Sequence, residues 1–377
     1  MVKKILLLLS FCFLLSGCYD YNELNKLAII SSIGIDFIDD QYLVTYEVLI
    51  DKKESDDSSN EKVYLAYGSA KSISEAFSMA TLSISKKPYL EHLKAIVISE
   101  CIAKDYLKDI VEYLLREPTI SNTFHMLVAK DISAHDVLDS AKARSPIIGE
   151  KLVTMLGHDK GSRNISSDRF FESIFQDIVD EGKDSFFSTV EKKGEDLYLG
   201  GFALLDDYNL VGFLDDDQSL LFNVLIGNAE NAIFSNKLEN EEIIISAYKS
   251  SGGIKYSKGA FSIGVKIDAS LIQNHLSLDT KANNTYETLD SNFSKILEGK
   301  ARDLLNLLIS LKSDVLGIDF IYYKNTRIYT PDIWLSLNYD IKIDVNVNKK
   351  GFIYEVDRWL QISKNSVWCF IYLELFS

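Results

Sequence analysis

Two stretches in the last third of the sequence alternate apolar and polar residues. Phe261, Ile263, Val265 and Ile267 form one set, and Ile341, Ile343, Val345 and Val347 form the other. A period of two puts each set on one face of a strand. Between them Leu289, Phe293, Ile296, Leu297, Leu304, Leu305 and Leu308 recur at helical spacing, the longest such pattern in the sequence. A stripe of this kind is the core-facing side of a helix laid on a sheet. The C-terminal half is therefore expected to be α+β: an antiparallel sheet covered by a long helix.

The N-terminal half alternates differently. "LAIISSIGIDF" and "QYLVTYEVLI", joined by "IDD", read as a hairpin, and "VYLAYGSA" as a third strand. The charged, serine-rich "DKKESDDSSNEK" (51–62) between them reads as a solvated loop. Ser72 and Glu75 have capping-box spacing, and Ile73, Phe77, Ala80 and Ile84 continue a helical face. "LKAIVIS" is a strand. Leu107, Ile110, Val111, Leu114 and Leu115 mark a helix that stops at Pro118. "HMLVAK" is a strand, and Ser133 with Asp136 opens another helix. Strands alternating with helices imply parallel pairing, so the whole is a multi-domain α+β (mixed α/β) chain. In residues 142–196, "RSPIIGEKL" and "GHDKGSRNISSDRF" look loop-like, whereas "DRFFESIFQDIVDEG" looks helical. The junction is placed in this stretch or at its end near "EKKGED", dividing a region 18–196 of two subdomains from a domain 197–350, with 351–377 as a tail. From "LYLGGFALL" the chain resumes as a hairpin and a helix.

The N-terminus carries Lys3 and Lys4, eleven almost wholly apolar residues from Ile5 to Leu15, then Ser16, Gly17 and Cys18. A charged start, a short apolar run and small residues before a cut make a signal peptide, residues 1–17. Eleven helical residues cover about half of a bilayer's hydrocarbon core, too little for a lasting span. Leu15, Ser16 and Gly17 before Cys18 look like a bacterial lipobox, in which the cysteine is acylated and becomes the first residue. The alternative is an ordinary signal peptide with an incidental cysteine. No later segment reaches eighteen consecutive apolar residues.

Removal of residues 1–17 takes two lysines, so 40 basic residues become 38 against 55 acidic and the net charge moves from -15 to -17. Such a balance argues against nucleic acid, and against adhesion to anionic lipid by charge alone. Cys101 and Cys369 remain; one bridge between them is possible, but Cys101 follows "AIVIS" and reads better as a buried free thiol.

The patterns of catalytic chemistry are imitated without being met. "GHDKGS" (157–162) places Lys160 before Gly161, the reverse of a phosphate loop. Asp344, Asn346, Asn348 and Glu355 fall on calcium-loop positions, but Lys349 stands where glycine is needed, and the stretch alternates as a strand with a wet face. The runs Asp56–Asp57 and Asp215–Asp217 read as solvated turns. His92, His125, His135, His158 and His275 lack ligand spacing, and His92 and His125 open strands as structural residues. No enzyme, metal or cofactor is expected beyond the lipid on Cys18.

"GCYDYNELNKLAIISSIGIDF" resembles the mature start of the Ger(x)C family, the C-subunit lipoproteins of nutrient germinant receptors in spore-forming bacteria. The matching residues are Gly17, Cys18, Tyr19, Asp20, Glu23, Leu24, Gly34, Ile35 and Asp36. "HLKAIVISE" (92–100), "YLLREPTISNTFHMLVAK" (113–130) and "GGFALLDDYNLVGFLDDDQSLLFNVLIG" (200–227) follow in the family's order. The resemblance implies a non-catalytic subunit lipid-anchored to the outer face of the spore inner membrane. Its partners would be integral-membrane A- and B-type receptor subunits, and nutrients would trigger release of ions and dipicolinate. It also implies that Glu23, Leu24, Gly34, Asp36, His92, Arg116, Pro118 and Gly201 shape the fold or an interface, with Gly34 and Gly201 permitting backbone turns and Arg116 closing a helix. The family usually ends soon after the strand at 341–348, whereas here "VWCFIYLELF" follows: a last strand, a partner-binding segment or a frame-altered tail. Two other functions compete. A solute-binding lipoprotein would need two similar lobes around a cleft. An exported hydrolase would need a nucleophile with a base beside it, and none can be named.

Overall fold

The computed structural model describes residues 26–50, 63–140, 147–180, 182–229, 231–238, 241–257, 259–274, 283–336 and 338–348. The signal peptide and lipobox, the loop 51–62, His275 and the tail 351–377 lie outside the described residues.

A nine-stranded mixed sheet is built from residues 27–213. Strands β1 (Leu27–Ile38) and β2 (Gln41–Leu49) form the expected hairpin, turning at Asp39 and Asp40, both at positive φ. β3 (Val63–Ala70) adds to β2 antiparallel. Helix α1 (Ile73–Leu82) starts where Ser72 accepts from Glu75 N–H. β4 (Lys87–Tyr89) and β5 (Ala95–Ser99) both pair with β1 in parallel. A π-turn (Ile102–Tyr106) leads into α2 (Leu107–Arg116), and β6 (His125–Ala129) lies parallel to β5. Helices α3 (Ala134–Asp139), α4 (Ile148–Asp159) and α5 (Phe171–Val179) precede β7 (Phe186–Lys193), which is parallel to β6. β8 (Asp196–Asp206) and β9 (Asn209–Phe213) close the sheet antiparallel. The turn at Gly194 and Glu195, where the junction was placed, thus connects two paired strands of this sheet.

After α6 (Asp216–Leu225) come β10 (Ala232–Leu238), β11 (Glu241–Ser257), β12 (Ala260–Asn274), the long α7 (Asn283–Leu311), α8 (Ile318–Thr326), a 3-10 turn (Ile333–Ser336) and β13 (Tyr339–Asn348). The four strands form a second sheet in sequence order, antiparallel except for the parallel pair β12–β13. That pair follows from the connection: α7 and α8 carry the chain back to the end of the sheet where β12 began. The acidic run Asp215–Asp217 caps α6 in a reciprocal box with Gln218. Asp344 and Asn346 lie on the wet face of β13, as the alternation required.

Three apolar clusters form the core. One lies between the larger sheet and α1, α2 and α5, including Ile33, Tyr46, Ile98, Phe171 and Phe187. A smaller one lies under α3 and α4, with Val97, Leu127, Val137 and Leu152. The third joins Phe186, Phe202 and Leu204 of β7 and β8 to α6, α7 and the inner face of the second sheet.

The readings of Cys101 and of residues 148–159 need correction. Cys101 is exposed, because β5 ends at Ser99 and the thiol sits on the helical turn that follows. Ile148–Asp159, which takes in parts of the two loop-like stretches "RSPIIGEKL" and "GHDKGSRNISSDRF", is a helix. It lacks a local capping side chain, since Ile147 makes no cap bond, and it carries Gly149 because Ser31 lies against it. A Cβ at Gly149 would stand 2.5 Å from Ser31 Oγ.

Candidate functional site

The most unusual local chemistry lies where the β1–β2 hairpin meets α3 and α4. Asp36 of β1 is buried, and the N–H groups of Ala134 and His135 donate to its two oxygens, each at 2.8 Å. Glu47 of β2 is fully buried; Ile148 N–H donates to Oε1 at 2.5 Å, and Gly149 N–H and Ser32 Oγ to Oε2 at 3.0 and 2.7 Å. Two strand carboxylates thus complete the first turns of two helices, whose leading N–H groups have no partners within the helix. Burial pushes both carboxyl groups up from their ordinary range, and the donated hydrogen bonds oppose it. His135 also places Nδ1 3.1 Å from Thr45 Oγ1, so α3 is fixed to both strands.

A second polar joint ties the larger sheet to the α7–α8 corner. Asp184 accepts from Asp207 N–H at 3.0 Å and from Asp314 N–H at 2.6 Å, while its own N–H donates to Asp314 O at 3.1 Å. Asp314 is buried and accepts from Ile318 and Asp319 N–H; Asp319 accepts from Trp334 N–H at 2.9 Å. Ser313 Oγ donates to Leu205 O across the same joint. Asp184, Asp207, Asp314, Asp319 and Trp334 border a cavity of about 360 Å³ that also meets Asp206, Lys312 and Asp332. Among the described residues no group of three His, Cys, Asp or Glu side chains is arranged to hold a metal ion.

Burial raises Asp184 to about 6, and Asp314 well above its ordinary value. A raised acid binds its proton more tightly in the folded chain, so its stabilising contribution is complete below about pH 4 and disappears as pH rises through about 6. Lowering pH from 7 to 5 is expected to stabilise the protein by about 1 kcal/mol through Asp184. Urea unfolding at the two pH values checks this. Asp184→Asn should remove that share of the pH dependence, and an unchanged slope would discount the joint.

The residues singled out in the sequence do not converge on one pocket. Leu15, Ser16, Gly17, Cys18, Glu23 and Leu24 lie outside the described residues. Gly34 and Asp36 both serve the α3 joint: a Cβ at Gly34 would stand 3.1 Å from Ala134 O, two residues from the carboxylate that receives the helix. Gly201 is a second close approach, where a Cβ would come 2.1 Å from Leu214 O and 2.5 Å from Ser219 Oγ. Neither glycine has positive φ, so they permit packing of backbone on backbone and not the expected turns. His92 is exposed ahead of β5, edge-on to Tyr89 at 5.4 Å. Arg116 ends α2 and pairs with Glu112 at 3.0 Å, on the rim of a cavity of about 580 Å³ with Tyr42, Lys71 and Asp109. Pro118 is exposed just beyond, after Glu117 turns extended. His125 is buried, its Nε2 2.7 Å from Asp168 Oδ1, which holds the segment before α5 against β6.

Family models cover almost the whole chain in two consecutive parts. The spore germination protein N-terminal domain matches residues 20–192, and the spore germination B3/GerAC-like C-terminal domain matches residues 200–356. The chain belongs to the Ger(x)C family of spore germination proteins. Its Ger(x)C relatives include the putative spore germination protein YfkR of Bacillus subtilis, 23% identical over 337 residues and covering 84% of this chain and 86% of that one. Another is spore germination protein GerQC of Bacillus cereus, 22% identical over 303 residues, covering 77% and 83%. The crystal structure of the GerBC protein has the same Ger(x)C fold, with a TM-score of 0.50 at 19% identity over 83% of this chain and 96% of that one.

Proposed function

We propose that this chain is the non-catalytic, lipid-anchored subunit of a nutrient germinant receptor. The observation that carries the reading is the two-part family match beginning at residue 20, two positions after the lipobox cysteine Cys18. Acylation of Cys18 holds the chain at the outer face of the spore inner membrane, and the folded domains meet integral-membrane A- and B-type subunits through protein surfaces. Among the described residues no helix is long and apolar enough to cross a membrane. The carboxylate joints act as scaffolding in this reading: every oxygen pair of Asp36, Glu47 and Asp314 is engaged by backbone N–H groups at helix starts. The two sheets differ in size, nine strands against four, which does not support the paired lobes of a solute-binding protein.

Spores lacking the chain are expected to lose dipicolinate release to particular nutrients while responding normally to a receptor-independent trigger. Spores carrying Cys18→Ala should show an intermediate loss. Full responses to every nutrient, in a strain also stripped of its related receptors, would sink the proposal.

A further inference from the structure

The segment from Lys312 to Ser336 turns at four residues in the left-handed region. Lys312, Gly317, Arg327 and Asp332 have φ between 56° and 67°. Three of the four are not glycine, so each of those turns is strained and persists only through what surrounds it. Helix α8 lies between two of them and buries only Ile318 and Asp319, in its first turn. Beyond that turn Tyr323 and Ile328 are exposed. Strained ends and few buried side chains mark an element of low local stability.

What holds the segment is a series of carboxyl groups. Asp184, ahead of β7, receives the N–H of Asp314. Asp314 in turn receives the N–H groups of Ile318 and Asp319 at the start of α8, and Asp319 receives Trp334 N–H at the 3-10 turn. Two further ties join in: Phe320 N–H donates to Gly182 O at 2.9 Å, and Tyr339 Oη of β13 to Trp334 O.

The charges around this series do not balance. Asp180 and Lys183 face it from the α5–β7 connection, and Asp206 and Asp207 from the β8–β9 turn. Lys312, Tyr329 and Asp332 face it from the segment itself. Lys183 is paired with Asp177, its Nζ 2.5 Å from Oδ1, and Arg169 pairs with the same carboxylate. Lys312 stands near Asp206. Seven carboxyl groups and two lysines thus border one cavity of about 360 Å³. Carboxyl groups so crowded repel when all are ionised, and a proton kept on the Asp184–Asp314 pair relieves the repulsion. Burial, with added repulsion from neighbouring carboxyl groups, raises Asp184 to about 6 and Asp314 well above its ordinary value. Burial and the same carboxyl groups push the Tyr339 phenol up, so it stays a donor.

We propose that the α7–α8 corner is a proton-dependent latch. With a proton on the Asp184–Asp314 pair the corner stays on the larger sheet, and loss of that proton releases α8 and the 3-10 turn while both sheets remain folded. The sign follows from where the proton is held: opening is rarest below about pH 4 and levels off above about pH 6. The inner face of the second sheet keeps its cover of α6 and α7 throughout.

Hydrogen exchange of the full chain at pH 5 and pH 7, with rates corrected for the intrinsic effect of pH, tests the latch. Amides over 318–336 should open at least about tenfold more often at pH 7, the linkage expected of a carboxyl that titrates at about 6 when closed and about 4 when open. Their opening should also be insensitive to low urea, the mark of a local event that exposes little surface. Equal opening at the two pH values would overturn the proposal. So would an opening as steep in urea as that of β5 and β6, because the corner would then leave only when the whole chain unfolds. Two variants assign the proton. Asp184→Asn should divide the ratio by about ten. Asp206→Asn removes a like charge beside Asp184, and its carboxyl makes none of the hydrogen bonds above, so the ratio should fall while the corner stays built. A ratio left unchanged in whichever variant folds would put the proton elsewhere and overturn the latch.

Discussion

Gly201→Ala is expected to destabilise the protein by at least about 3 kcal/mol, the upper part of the range for overpacking. The new methyl group would come 2.1 Å from Leu214 O and 2.9 Å from Asp215 O, both backbone atoms, and 2.5 Å from Ser219 Oγ. Ser219 cannot simply swing away, because its hydroxyl accepts from Phe202 N–H at 3.1 Å. Relief would require α6 to lift from β8, opening the cluster of Phe186, Phe202 and Phe222 rings whose centroids lie 4.7 to 5.5 Å apart. Gly264→Ala is the matched control, since a Cβ there meets nothing within 4 Å. Its effect should stay within about 1 kcal/mol, with stabilisation the expected sign for a strand glycine. Denaturant unfolding of the two variants side by side decides the matter; similar midpoints would mean that the β8–α6 contact is not as close as described.

Glu47→Ala should cost a comparable amount, about 3 kcal/mol, for a different reason. The substitution removes no helix residue, yet it strips the N–H groups of Ile148 and Gly149 and the Ser32 hydroxyl of their shared acceptor inside a closed interface. Buried donors left without partners cost about 1–3 kcal/mol each, offset in part by relief from burying a carboxylate. The loss should be local first. Amide exchange is expected to speed most over 148–159, and over 73–82, on the opposite face, least. Uniform acceleration across both helices would mean that Glu47 supports the whole sheet and not one helix end.

The hairpin, the third strand, the helix ending before Pro118 and the long α7 were legible because each announces itself locally, through period, cap or stop. Helix 148–159 was not, because its cap is a strand residue a hundred positions upstream and its glycine answers to Ser31 and not to a turn. Glu47 is illegible for the same reason: an acidic residue in an alternating strand reads as a wet-face position, and only the presence of α4 makes that face dry. Asp36 and Gly34 could be named from the family resemblance, but their shared role at one helix end required the topology. The parallel pairing of β13 was hidden too, since alternation gives the face of a strand and not its direction. Cys101 was misread because a buried strand does not oblige the residue two places past its end to be buried.

The placement of Asp36 and Glu47 also bears on how the chain reaches its structure. The hairpin that carries them is made first, but their donors stand 98 and 99 residues downstream for Asp36, and 101 and 102 for Glu47. Until Gly149 has been synthesised, no nascent chain can shelter both carboxylates. The two carboxylates therefore gain their backbone partners only through long-range closure, whose entropic cost grows with the length of the loop closed. A shorter fragment ending before α4 would hold Glu47 without the two N–H groups that receive it.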